Sequence, residues 1–251
     1  MSEADKHSAR IFLHRGQLAQ AKAACEQAVT DDRLVNDQGA LSNSLGNLGN
    51  VCALLGDLDQ AESCYREVLQ IQRIEPNQNA IAHTLVNLGN LYIGAGHPEK
   101  ARPYYLEALD LLRDLKDDRA LGILYNNLAL QEAREGKWEQ AVTSFMQALD
   151  SHRIVGNEEG LAVTYSQLGK CFLDQGDLTR AERCLNNASE HYIKLGNEPA
   201  EAAVLRHLAA VYGSRLDSVS ARRCLERVVS LDQRYRLPEL QADVDNLVKL
   251  R

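Results

Sequence analysis

Apolar and small residues recur along this chain at spacings of three and four, in stretches several turns long separated by short polar links. That period is the amphipathic α-helix. The stretch from Ser42 to Leu55 predicts one helix, with Leu45, Leu48, Gly49 and Cys52 on a single stripe. Gly56 suits the left-handed position that ends a helix, and Asp57 suits the N-cap of the next. A second helix follows from about Leu58 to Ile74, burying Ala61, Tyr65, Val68 and Leu69. The polar link EPNQN then resets the chain, and KDDR, GNEE and GNEP recur as similar links. In the next unit GHPE replaces the capping pair and places Pro98 in the first helical turn, where its missing N–H costs little.

The pattern repeats every 40 residues. Ala21, Ala61, Ala101, Ala141, Ala181 and Ala221 fall in one column. Gly16, Gly56, Gly96, Gly136 and Gly176 form another, broken at Leu216. A third column is always small (Ala9, Gly49, Gly89, Ala129, Gly169, Ala209), and the residue before it is Ser8 and then leucine from Leu48 to Leu208. A fourth is large: Cys25, Tyr65, Tyr105, Phe145, Leu185, Leu225. Each period therefore holds a helix A and a helix B joined by a tight turn. Small residues at the crossing let two axes approach to roughly 8–10 Å, and the larger columns fill the space beside it. One pair cannot bury its own stripe, so pairs must stack.

The order Leu85, Leu88-Gly89, Tyr92, Gly96, Ala101, Tyr105, Ala108 resembles the tetratricopeptide repeat, and NLGNLY, YNNLAL and GNEEGLA are similar to the long-repeat subclass of kinesin light chains and Pins-type adaptors. The usual repeat is about 34 residues, so the excess is expected to lengthen helix B and the link. The resemblance implies an all-α fold: a right-handed α-solenoid of six helix-turn-helix units over 2–41, 42–81, 82–121, 122–161, 162–201 and 202–239, as a single domain. The segment 240–251 reads as a capping helix that covers the last stripe with Leu240, Val244, Leu247 and Val248 and turns Asp243, Asp245 and Lys249 to water. A β-propeller lacks support because no unit alternates, and a HEAT-like array lacks the Gly-to-Ala offset of five.

Composition agrees with a folded helical protein: 45% hydrophobic, 5% aromatic, five prolines in 251 residues. The net charge of −7 argues against nucleic acid or an anionic membrane as the partner. No apolar run is long enough for a membrane span, and the polar opening MSEADKHSARIFLHRG is unlike a signal peptide, so the expectation is a cytoplasmic, monomeric protein with reduced cysteines.

The resemblance also implies that helix A lines the inner, concave surface. Asn47 and Asn50 flank the buried Leu48-Gly49; Asn87 and Asn90 do the same, and Asn127, with Asn126 beside it, continues the row to Gln167 and His207. Neighbouring repeats advance on the order of 10 Å and an extended peptide about 3.3 Å per residue, so one amide would meet a peptide about every third residue. A primary amide gives and takes a hydrogen bond together, which a peptide unit requires. The same face carries Lys6, Arg10, Arg134, Lys170 and Arg206 against Glu3 and Asp174, and His7, His14, His83 and His207. A basic groove in an acidic body favours an acidic partner segment. The family's terminal-carboxylate clamp is matched only at Lys6 and Asn47; Arg10 stands for an asparagine, and His83 and Asn87 stand for lysine and arginine.

Alternative readings of these residues are caps, water bridges or an ordinary solvated face. No HExxH, GxSxG or phosphate-loop pattern occurs, the cysteines lack metal spacing, and the carboxylates at Asp117, Asp118, Glu158 and Glu159 read as solvated turns. Trp138, Met146 and the helix-B tyrosines read as packing or outer-surface residues. The expectation is a non-catalytic adaptor without cofactor or metal that binds a protein or peptide. A sensor of a free signalling peptide and a self-associating structural solenoid are the rivals.

Overall fold

The computed structural model describes residues 12, 16–74 and 76–249, without the side chain of 249. Among the described residues there are twelve helices. They are α1 (Leu18–Val35), α2 (Gln38–Leu55), α3 (Leu58–Ile74), α4 (Gln78–Gly94), α5 (Pro98–Leu115), α6 (Asp118–Arg134), α7 (Trp138–Ile154), α8 (Glu158–Asp174), α9 (Leu178–Leu195), α10 (Glu198–Ser214), α11 (Ser218–Tyr235) and α12 (Leu240–Lys249). Even-numbered helices from α2 to α10 are helix A of their repeat, and odd-numbered ones are helix B. The fold is all-α, as the period implied.

Helix B of the second repeat has the expected bounds, but helix A starts at Gln38 and not at Ser42. Asp37 explains the earlier start, because its side chain accepts the Ala40 N–H at 2.9 Å. Asn77, Asn157 and Asn197 cap α4, α8 and α10 in the same way through Ala80, Gly160 and Ala200. The last two residues of each polar link thus belong to the first helical turn. The residues beyond the usual repeat length go into both helices, each 17 or 18 residues long from α1 to α11, and not into the link.

By its contacts the chain divides into two compact units, residues 1–120 and 121–251. In the first, α2 packs on α3 and α4 on α5, while α1 lies against α2 and α3 against α4. In the second, α8 pairs with α9 and α10 with α11; α7 lies on α8, α9 on α10, and α12 on α11. The second core runs from Ala129 through Phe145, Leu149, Leu168, Phe172 and Leu185 to Val204 and Leu208.

The helix crossings show why the small column is small. A Cβ on Gly89 would sit 2.2 Å from the Tyr105 ring, and one on Gly49 would sit 2.8 Å from the Tyr65 ring. Tyr105 is almost wholly buried by that approach. The turn glycine has a different purpose. Gly56 holds φ +77°, a region that L side chains rarely adopt. In the sixth repeat Leu216 is forced into the same region, φ +60°, with its side chain in water, and Asp217 still caps α11 through the Ser220 N–H.

The capping helix departs from expectation. Leu240, Val244 and Leu247 are only half-buried, Val248 is exposed and Asp243 is buried. Asp243 turns inward because the Arg206 guanidinium beneath it offers Nε at 2.7 Å.

Two substitutions test these constraints. Gly89→Ala must displace the Tyr105 ring and should lower stability by about 1–3 kcal/mol, read from the thermal unfolding midpoint. Leu216→Gly relieves a left-handed leucine and should raise stability by roughly 0.5–1 kcal/mol in the same assay; no gain would mean that the turn is not strained.

Candidate functional site

Packing of the leucine and small columns leaves the two flanks of helix A outside the core. In the first unit the flanks are α2 and α4. Asn50 and Asn90 are exposed, yet both are engaged: the Tyr65 hydroxyl donates to Asn50 Oδ1 and the Tyr105 hydroxyl to Asn90 Oδ1, each at 2.6 Å. These asparagines fasten helix A to helix B, a role the sequence reading did not give them. Asn47, exposed, and Asn87, half-buried, make no side-chain hydrogen bond to a described residue, and neither does the exposed His83. The motif NLGN therefore splits by position: the leucine packs, the glycine admits the tyrosine ring, the second asparagine takes its hydroxyl, and the first stands open.

Sequence reasoning missed Asn43, one turn before Asn47. It lines a cavity of about 300 Å³ with Ser42, Gln72, Asn77 and the aliphatic side chains of Ile71 and Ile74. Among the described residues that line it, none carries a formal charge.

In the second unit the chemistry is cationic. Arg134 on α6 is exposed and makes no ion pair with a described residue. It lines a cleft of about 630 Å³ with Trp138, Gln167, Lys170, Cys171 and Asp174. Lys170 is paired one turn along with Asp174, at 2.7 Å and partly exposed, a contact that water weakens. The Gln167 Oε1 is buried with no hydrogen-bond partner. Trp138, expected as a packing or outer-surface residue, is partly exposed and lines this cleft; its position just past the turn at Gly136 brings it round to the ends of α6 and α8.

The remaining candidates stand in different surroundings. Asn126 is buried, with its Oδ1 unpartnered, so it points inward and not along the row. Arg206, at the same register position two repeats on, is likewise turned toward the following helices, where it meets Asp232 at 2.6 Å and Asp243 at 2.7 Å. Arg206 is thus neutralised within the chain and offers no free charge. Burial pushes the Asp232 carboxyl up, against the pull of Arg206, and the neighbouring Asp243 adds to the rise. Asn127 is half-buried and has an interaction of its own. His207 is half-buried; burial holds its imidazole below the usual value, Lys170 and Arg206 press it the same way, and Asp174 opposes them. It is therefore a neutral hydrogen-bonding group at neutral pH and not a cation. Lys6, Arg10, Glu3, His7 and His14 lie outside the described residues.

Glu158, expected as a solvated link residue, joins α8 to α9 through His191 and Lys194, both at 2.6 Å. The six cysteines are free thiols. Burial pushes Cys64 up to about 12 and Cys25 and Cys184 to about 11, which removes thiolate reactivity at neutral pH. Among the described residues no group of three or more His, Cys, Asp or Glu side chains is placed to hold a metal ion, and no described helix is long and apolar enough to cross a membrane.

A family model described as tetratricopeptide repeat matches residues 1–74, 40–114, 120–194 and 160–234, two overlapping pairs of windows that together span most of the chain. The chain belongs to the tetratricopeptide-repeat family. No curated protein matches it. Solved structures similar to this tetratricopeptide-repeat chain include BtubC (BKLC) from P. vanneervenii, with 24% identity over 87% of this chain and 92% of that one and a TM-score of 0.80. A signal transduction ATPase with numerous domains and a tetratricopeptide-repeat sensor, from Pyrococcus horikoshii, shares 15% identity over 99% of this chain and 38% of its own, TM-score 0.85. The apo quorum sensor NprR from B. thuringiensis shares 12% over 100% and 69%, TM-score 0.74. At these identities the likeness is one of fold.

The structural role of the second asparagine is open to a double-mutant cycle. Tyr105→Phe and Asn90→Ala should each cost about 1 kcal/mol, and together little more than either alone; full additivity in denaturant unfolding would show that the hydrogen bond does not form. His207 supplies a pH signature. Its folded value lies below the unfolded one, near 6.5, so its contribution is present above that pH and is lost as pH falls through the folded value. Stability of the wild type should drop on that descent more than that of His207→Gln, measured by thermal midpoints from pH 8 to pH 5.

Proposed function

We propose that this chain is a non-catalytic protein-interaction module, working in the cytoplasm, whose helix-A faces hold an extended segment of a partner protein. Asn47 and Asn87 carry the reading. They occupy equivalent places in successive repeats, they can both donate and accept, and no described side chain or backbone group uses them. Bare amides at the repeat spacing suit a peptide backbone, which offers a donor and an acceptor at every residue. The uncharged cavity beside Asn43 suits an aliphatic side chain of such a segment.

The second unit favours acidic residues in what it binds. Arg134 brings a planar, permanently charged donor set to its cleft, with the Trp138 ring as an apolar wall and the Gln167 carbonyl left to accept a hydrogen bond. A carboxylate on Arg134 is the complement of this wall, and Lys170 can turn from the exposed Asp174 to a second one.

The two faces are tested separately by affinity capture from the native lysate. Asn47→Ala/Asn87→Ala and Arg134→Ala/Lys170→Ala should each reduce retention of the wild-type partner about tenfold or more, with helicity unchanged by circular dichroism. Added salt should weaken capture through Arg134 and Lys170 more than through the asparagines. Retention unchanged in both variants would place the partner on another face.

A further inference from the structure

One surface of the second unit already holds a helix, and that helix is a small one. α12 has 10 residues. Its apolar side chains Leu240, Val244 and Leu247 are half-buried, and the only fully buried residue of α12 with a described side chain is Asp243. What fixes α12 is the Arg206 guanidinium on α10, which gives Nε to Asp243 at 2.7 Å and Nη2 to Asp232 of α11 at 2.6 Å. Glu239, in the link before α12, lies at 3.7 Å from the same group.

This arrangement defines the chemistry of an occupant. The surface presents one guanidinium, half satisfied by a buried aspartate whose second oxygen has no partner. It takes a short helix that brings a carboxylate flanked by aliphatic residues at helical spacing, as Leu240, Asp243, Val244 and Leu247 do. We propose that the surface accepts α12 from a second copy of this chain, so that two copies exchange α12 reciprocally about the link 236–239. An exchanged α12 makes the same contacts as a resident one, so the docked helix itself does not oppose the exchange. What differs is the link. There Arg236 is held at φ +53°, a left-handed conformation that a residue with a side chain adopts under strain. Pro238 follows two residues later and cannot continue a helix through its missing N–H. Opening the link lets Arg236 leave that region, and short strained hinges are where helices swap. At low concentration the tether favours the resident helix, because its effective concentration is on the order of millimolar.

Charge reversal separates the resident helix from the exchanged one. Asp243→Arg sets α12 against Arg206, and Arg206→Glu sets the surface against Asp243, so each variant alone should leave α12 undocked and the chain largely monomeric. Mixed in equal amounts, each surface finds its complement only on the other chain. The mixture should then run at twice the chain mass in light scattering coupled to gel filtration, with at least tenfold more dimer than either variant alone. The double variant Arg206→Glu/Asp243→Arg should return to monomer. Circular dichroism checks each fold beforehand. If Arg206→Glu loses helicity, Arg206→Gln takes its place, since it still offers an α12 carrying Asp243 to the Asp243→Arg chain. A mixture that stays monomeric overturns the proposal. It does so whether or not a synthetic peptide of residues 237–251 binds the Asp243→Arg chain: binding would make the surface a receptor for a partner's helix, and no binding would make α12 a fixed clamp.

Discussion

A large side chain seated on a residue with no side chain is the contact on which this architecture depends. Tyr105 over Gly89 and Tyr65 over Gly49 bring helix A and helix B so close that the glycine position has no room for a Cβ. Leu185 over Gly169 repeats the device with an aliphatic side chain. Once the crossing is fixed, the leucine beside each glycine must face the core. The rotation of helix A about its own axis is then set, and with it the identity of every residue left on its two flanks. The flank residues are in this sense a remainder: they are what the crossing does not use.

The remainder differs between the two units. In the first it is a set of primary amides beside aliphatic side chains, and in the second a guanidinium, an ammonium, a carboxylate, an amide and an indole. Neutral hydrogen-bonding groups hold a backbone with little regard to sequence, while fixed charges discriminate between side chains.

Most of the fold was legible because a solenoid writes its core once per repeat. A column of alanines or of leucines needs no structure to be recognised, and helix B of the second repeat was placed to the residue. The start of helix A was not, because Asp37, Asn77 and Asn197 look like loop residues until their side chains are seen to cap backbone N–H groups. The site was less legible, since two chemically identical asparagines in one motif do different things. A signal was present: asparagine stands 15 residues before the large column only where that column is tyrosine, at 50 and 90, and gives way to Leu130 before Phe145 and Lys170 before Leu185. A hydroxyl needs an acceptor, and phenylalanine and leucine do not. Arg206 and Asp243 were misplaced for a different reason. Charges read singly look solvated, and only the fold shows that each is the other's partner.

The division of labour within NLGN is tested most directly by side-chain amide NMR on 15N-labelled protein, titrated with the segment of a captured partner that binds. The NH2 resonances of Asn47 and Asn87 should shift and gain protection from exchange, while those of Asn50 and Asn90, held by Tyr65 and Tyr105, should stay within line width. Movement of Asn50 and Asn90 with Asn47 and Asn87 unchanged would contradict the account.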